Sequence, residues 1–492
     1  MVSTALFLLA AAAGSARFAK AATPDEWRSR SIYQVLTDRF ARGDGSPDAP
    51  CDTGARKYCG GNYRGLISQL DYIQGMGFDS VWISPITKQF EDDWNGAPYH
   101  GYWQTDLYAL NEHFGTEEDL RALADELHAR GMFLMVDVVI NHNGWPGDAA
   151  SIDYSQFNPF NSSDYYHPPC EINYDDQTSV EQCWLYTGAN ALPDLKTEDP
   201  HVSQVHNDWI ADLVSKYSID GLRIDTTKHV DKPAIGSFND AAGVYAVGEV
   251  YHGDPAYTCP YQDWVDGVLN FPVYYPLIDA FKSPSGTMWS LVDNINKVFQ
   301  TCNDPRLLGT FSENHDIPRF ASYTQDLALA KNVLAFTILF DGIPIVYAGQ
   351  EQQYSGDSDP YNREALWLSG FNTDAPLYKH IAACNRIRSH AVSNDDAYIT
   401  TPTDIKYSDD HTLALVKGAV TTVLTNAGAN AGETTVTVEA TGYASGEQVT
   451  DVLSCESIAA SDGGRLSVTL NQGLPRVFFP TDALAGSGLC EN

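Results

Sequence analysis

Three short segments of this chain run from apolar residues into a carboxylate. Gly221-Leu222-Arg223-Ile224-Asp225 closes on Asp225, Val247-Gly248-Glu249-Val250 carries Glu249, and Phe311-Ser312-Glu313-Asn314-His315-Asp316 closes on Asp316. Arg223 and Asp225 stand two apart in an extended run, so both project to one face. A neighbouring guanidinium lowers the pKa of Asp225 and keeps it charged, as a nucleophile requires. Glu249 follows the apolar run Val244–Val247, where lost hydration raises its pKa, as a general acid requires. Asp316 then serves as a third carboxylate that stabilises a transition state. A charged carboxylate near a protonated one pairs a nucleophile or base with a general acid. Taken singly, each residue has a plainer reading: Arg-x-Asp as a structural ion pair, Glu after Gly as a cap. Their order along the chain is what favours catalysis.

The elements that position them alternate apolar runs with amphipathic segments between Ser31 and about His390. Strands are expected at Ile32–Leu36, Ser80–Pro85, Phe133–Val139, Gly221–Asp225, Val244–Val250, Gly267–Phe271, Leu308–Glu313 and Pro344–Ala348. Several are apolar throughout, as strands buried on both faces are. The clearest helix is Glu117–Arg130, with Leu120, Leu123, Ala124 and Leu127 on one face, Thr116 and Asp119 at its start and Gly131 at its stop. Further helices are expected at Ile67–Gln74, Val202–Tyr217, Pro233–Ala242, Met288–Gln300, Leu327–Leu339 and Leu377–Arg388. The fold class is therefore α/β, a (β/α)8 TIM barrel whose reactive groups belong at the C-terminal strand ends. Two segments break the rhythm. The stretch 141–196 is too long and too rich in Asn, Asp, Tyr and Pro for a plain loop, and reads as a loop-rich subdomain inserted after the third strand. From 401 to 492 the pattern turns to β-branched alternation with Gly-containing turns, an antiparallel β-sandwich. The expected organisation is a leader at 1–21, barrel at 22–140 and 197–400, the insertion at 141–196 and the sandwich at 401–492.

Composition narrows the partners. Of 492 residues, 64 are acidic and 30 basic, for a formal charge of -34. Such a surface repels nucleic acid and anionic lipid and suits a neutral substrate. Ala5–Ala13 is an apolar run followed by the small-x-small site Ala19-Lys20-Ala21, which reads as an export signal. No other stretch approaches the ~20 apolar residues needed to span a membrane. Eight of the nine cysteines fall into neighbouring couples, Cys51 with Cys59, Cys170 with Cys183, Cys259 with Cys302 and Cys455 with Cys490. They fit an oxidising destination, although proximity is only a preference among the possible pairings. Cys384 is left over in a helix-like apolar stretch and reads as a buried, inert thiol. Asn161 in Asn161-Ser162-Ser163 is the one N-glycosylation acceptor.

Together with Asp137-Val138-Val139-Ile140-Asn141-His142, the three carboxylate segments resemble, in order, the signature regions of the α-amylase family of glycoside hydrolases, most strongly its secreted fungal members. The resemblance runs from Ala22 to the C-terminus and takes in Tyr99-His100-Gly101-Tyr102-Trp103 and the cysteine couples. It implies Asp225 as nucleophile, Glu249 as acid/base and Asp316 as stabiliser. It implies His100, His142 and His315 at the hydroxyls of the sugar being cleaved, Tyr102 and Trp103 as faces for a pyranose ring, Asp359 and Arg363 from the substrate-binding loop Asp359–Arg363, and Arg223 as a further substrate-binding residue. Lys228, His229, Tyr251 and Gly253 fall on the leaving-group side. It also implies a Ca2+ cofactor held by Asn141, Glu181, Asp194 and the His229 carbonyl. The expected protein is a secreted, extracellular, endo-acting and retaining hydrolase of starch, glycogen and related α-glucan polysaccharides, acting as a monomer with no nucleic-acid or membrane partner.

The chain departs from the fungal pattern at Tyr251-His252, bulkier than is usual there, and at Ile317, where an amide is common. Rival readings are an α-glucosidase or transglycosylase of the same family, or a catalytically dead binding barrel. Retention of three carboxylates, Arg223, His142 and His315, and a polar C-terminus, favour the hydrolase.

Overall fold

The computed structural model describes residues 22–91, 95–395 and 397–490; the expected leader at 1–21 lies outside them. Eight parallel strands form one sheet: Ile32–Val35, Ser80–Ile83, Phe133–Val138, Gly221–Ile224, Tyr245–Gly248, Gly267–Val268, Gly309–Phe311 and Ile343–Tyr347. Numbered in that order they pair 6-5-4-3-2-1-8-7, and a parallel bridge from Leu269 to Gly309 joins the two ends. The sheet is thus a closed barrel. Its strands are buried along nearly their whole length, which is why they lack alternation.

The helices follow their local chemistry. Thr116 and Asp119 form the capping box of Glu117–Ala129, and Gly131 adopts φ +71° just beyond it. The segment expected as one helix at Ile67–Gln74 is two short helices, Tyr63–Ser68 and Leu70–Gly75, broken at Gln69. The sixth strand is shorter than expected, because the Asn270 side chain accepts from Val273 N–H and Pro272 follows, so that Phe271–Phe281 folds as a helix. The sequence reading did not anticipate that helix. Nor did it find the hairpin of Thr87–Gln89 with Gln104–Leu110, whose approach carries Tyr102 and Trp103 to the barrel mouth. Leu327–Leu339 is buried almost all round because it lies between the barrel and the C-terminal sheet. An all-apolar helix needs such a double cover.

That C-terminal sheet has six antiparallel strands, Asp404–Ser408, Thr412–Lys417, Val420–Thr425, Gln448–Asp451, Ser457–Ala459 and Arg476–Pro480, with a separate pair, Thr434–Val438 and Leu466–Leu470. Leu413, Leu415, Val477 and Phe479 face the barrel core, while Ala414, Val423 and Phe478 face the two-stranded sheet. Period-two alternation sorts one strand's residues between two cores. Asp404–Ser408 and Ser457–Ala459 escaped the sequence reading because they are edge strands with partly exposed, polar faces. A buried ion pair, Lys417 Nζ to Asp341 at 2.6 Å, ties sheet to barrel. Disulfides join Cys51–Cys59, Cys170–Cys183, Cys259–Cys302 and Cys455–Cys490, and Cys384 is a buried free thiol.

Candidate active site

The fourth and fifth strands run in register with Arg223 beside Val247 and Ile224 beside Gly248, which sets Asp225 level with Glu249 at the mouth. Arg223 lies below them, 1% exposed. Its Nη1 donates to Asp225 Oδ1 at 2.7 Å and to both oxygens of Asp137 at 3.0 and 3.1 Å, while Nη2 stands 2.9 Å from Glu249 Oε1. One guanidinium therefore gathers three carboxylates. Glu249 Oε2 also accepts the Thr226 N–H at 3.0 Å. Thr226 reaches it through a left-handed backbone, φ 47°, an uncommon state for a β-branched residue and one that concentrates at functional sites.

The electrostatics differ from the simple expectation in one respect. Arg223 was expected to hold Asp225 low and burial to raise Glu249. In the structure burial pushes both carboxyls up, with Arg223 opposing the shift in each and the neighbouring carboxylates adding to it. The cluster carries too few positive charges to ionise every acid cheaply, so it retains a proton readily.

A cavity of about 350 Å³ opens over this floor. Asp225, Glu249 and Asp316 all line it. His100, Tyr102, Trp103, His142 and His315 line it as well, as do Asp359 and Arg363. Tyr102 stacks on His315 at 5.3 Å, nearly parallel, and its hydroxyl donates to Asp137 at 2.6 Å. Burial lowers the pKa of His142 to about 4, so its ring is neutral, and its Nε2 donates to the Tyr102 carbonyl at 3.1 Å. Arg363 donates to Asp316 Oδ1 at 3.1 Å and pairs with Asp359 at 3.1 Å. Lys228 donates from Nζ to the Tyr251 carbonyl at 3.0 Å, and Tyr251 packs on Phe271 at 4.5 Å with 41% of its surface exposed.

Some placements differ. Gly253 does not line the cavity; a Cβ there would meet Tyr275 at 2.9 Å, so its smallness serves packing. Arg223 acts from beneath the cavity, not on its surface. Tyr174, Leu185, Leu192 and Thr226 line the cavity and were missed. The first three come from the insertion, where no periodicity marks an inward residue. Asp137 was visible only as a motif letter, since nothing in one sequence shows that it faces Arg223.

At the junction of the third strand and the insertion, His142 and Asp194 form a bridge, and Leu195 N–H donates to the Asn141 carbonyl at 2.8 Å. Oδ1 of Asn141 and Oδ1 of Asp194 are both buried with no hydrogen-bond partner. Two orphaned oxygens, one amide and one carboxylate, fit a hard cation. Burial raises the Asp194 pKa to about 7, the reverse of what a bound cation would impose. Glu181 stands apart from this pair, accepting from Gln177 at 2.7 Å, and His229 Nδ1 bonds the Val180 carbonyl at 2.8 Å. Among the described residues no cluster of three or more His, Cys, Asp or Glu groups forms a metal cage.

The sequence matches the alpha amylase catalytic domain over residues 34–412 and alpha-amylase domain C over 405–492. Alpha-amylase 2 of Schwanniomyces occidentalis is 52% identical over 482 residues, 97% of this chain and 95% of its own length. Alpha-amylase of Saccharomycopsis fibuligera is 49% identical over 475 residues, covering 96% and 95%. The fold also resembles the crystal structure of an Anoxybacillus alpha-amylase, with a TM-score of 0.80 and 28% identity over 92% of this chain and 99% of that one. On sequence and fold alike, the chain belongs to the α-amylase family of glycoside hydrolases, acting on α-1,4-glucosidic bonds.

Proposed function

We propose that this α-amylase is secreted, cuts internal bonds of starch-like α-glucans, and retains the anomeric configuration. The observation that carries the reading is Arg223 holding Asp225 and Glu249 on its two terminal nitrogens at the cavity floor. Carboxyls gathered on one guanidinium support the short spacing of retaining enzymes. Asp225 attacks the anomeric carbon with its unbonded oxygen, and Glu249 gives its proton to the departing glycosidic oxygen. Glu249 then takes a proton from water as that water displaces Asp225. Asp316, held by Arg363, faces the charge that develops on the ring. His100, His142 and His315, kept neutral by burial, can accept or donate to sugar hydroxyls without adding charge. Asp359 and Arg363, and Lys228, Tyr174 and Tyr251, line the same cavity and add binding surface beyond the carboxylates. That arrangement suits a chain passing through the site.

Calcium fits the junction behind His142. Asn141 and Asp194 would hold it through their orphaned oxygens, with the His229 carbonyl and Glu181 as further oxygen donors. The ion would supply structural cross-linking between barrel and insertion. Export, a monomeric state and glycosylation of the exposed Asn161 complete the proposal; four disulfides support an oxidising destination, and no helix among the described residues is long and apolar enough to cross a membrane. A product time course from soluble starch tests the function. Rapid loss of polymer length with mixed short oligosaccharides is expected. Glucose released alone from chain ends, or growth of longer chains, would overturn it.

A further inference from the structure

We infer that a groove in the C-terminal domain, adjoining Trp289 through Asp410, binds a second stretch of α-glucan outside the catalytic cavity. The inference rests on the α-glucan reading of the active site. Trp289 opens the helix Trp289–Thr301 and is 52% exposed. Its ring is not free to turn away. Nε1 donates to Asp410 at 2.6 Å, and the preceding Met288 N–H donates to the Asp410 carbonyl at 3.1 Å. The hydrogen bond accounts for the indole nitrogen but not for the exposed ring face, whose apolar area stays in water at a cost.

Beside it lies a groove of about 470 Å³, lined by Asp409, Asp410, His411 and Thr434 with Pro284 and Leu470 as apolar edges. None of these residues lines the catalytic cavity. The Asp409 carboxylate is already ordered, accepting from His411 N–H at 2.8 Å, Thr412 N–H at 2.7 Å and the Tyr407 hydroxyl at 2.7 Å. Asp409 is thus a fixed set of acceptors more than a free anion seeking a cation. A fixed aromatic face next to oriented acceptors and hydroxyls matches a neutral ring with an apolar C–H face and equatorial hydroxyls, which is the chemistry of glucose units. The polymer this enzyme cuts presents many such rings per chain, so a groove on the same molecule would raise the local concentration of substrate at the cavity.

The alternative is that Trp289 only latches the barrel to the sheet. Two comparisons separate them. In a Glu249→Gln background, adsorption to starch granules is measured for Trp289→Ala and Trp289→Phe. With Glu249 intact, rates on granular starch and on a small aryl maltoside are measured alongside melting. Trp289→Ala should weaken adsorption and slow granular starch by about fivefold or more, leaving the aryl maltoside rate and melting midpoint unchanged, and Trp289→Phe should keep most of the adsorption. Unchanged adsorption in Trp289→Ala would overturn the proposal, as would a lowered melting midpoint with equal losses on both substrates. No turnover of soluble starch by the parent enzyme would instead remove the active-site reading, and the adsorption comparison would still decide the groove.

Discussion

Arg223 and Asp137 face each other as register partners on adjoining barrel strands, with Nη1 3.0 and 3.1 Å from the two carboxylate oxygens. Asp137 takes two further bonds, from the Tyr102 hydroxyl at 2.6 Å and Trp82 Nε1 at 3.1 Å. A buried acid so fully bonded fixes the guanidinium, and the guanidinium in turn fixes Asp225 and Glu249. The Asp137 pKa still rises to about 6, because desolvation outweighs these partners.

Asp137→Asn should therefore lower kcat by about one to two orders of magnitude through misplacement of the reacting carboxyls. It should also move the pH profile. Removing a negative neighbour makes ionisation of Asp225 and Glu249 easier, so both pKa values fall. The acid limb, set by ionising Asp225, and the basic limb, set by deprotonating Glu249, both move to lower pH. Steady-state rates across pH check this; an unmoved profile at undiminished rate would show that Asp137 is not coupled to the pair.

Chelation should lower stability before it alters chemistry. An ion that binds only the folded chain stabilises it by about 2.7 kcal/mol at a hundredfold excess over Kd. Melting of the enzyme with and without excess chelator, and of Asp194→Asn, should show a common drop, with elemental analysis finding calcium in the parent only. An unchanged melting temperature in metal-free protein would remove Asn141 and Asp194 as ligands.

Tyr251 should favour long leaving groups. It borders the cavity just past Glu249, half exposed, with its carbonyl holding Lys228. Contacts made only with an extended leaving side contribute to lowering the barrel-mouth reaction's barrier. Tyr251→Ala should slow cleavage of maltoheptaose more than that of an aryl maltoside. Equal losses on both, with a lower melting point, would mark Tyr251 as a packing residue against Phe271.

The barrel was legible because burial on both faces leaves a compositional trace: eight apolar runs, each near its observed strand. The helix Leu327–Leu339 was legible in extent but not in its double cover, since a sequence shows that a helix is apolar and not what lies on either side. Polar edge strands such as Asp404–Ser408 leave no such trace. At the site, Asp225, Glu249 and Asp316 could be read because strand-end carboxylates stand out against apolar runs. Tyr174 and Leu192 could not, because a long irregular insertion has no period from which to infer direction. The sharing of Arg223 among three carboxyls needed the register of neighbouring strands, which no single strand encodes.

The central claim is that Asp225 attacks the anomeric carbon from the face opposite the departing chain, so that two inversions restore the starting configuration. The most direct test is the anomer of the first product, followed by proton NMR within the first minutes of maltoheptaose cleavage, before mutarotation equilibrates the ends. The account predicts that the α-anomer appears first and relaxes toward the equilibrium mixture. Early appearance of the β-anomer would contradict it, and would make the water, not Asp225, the attacking group.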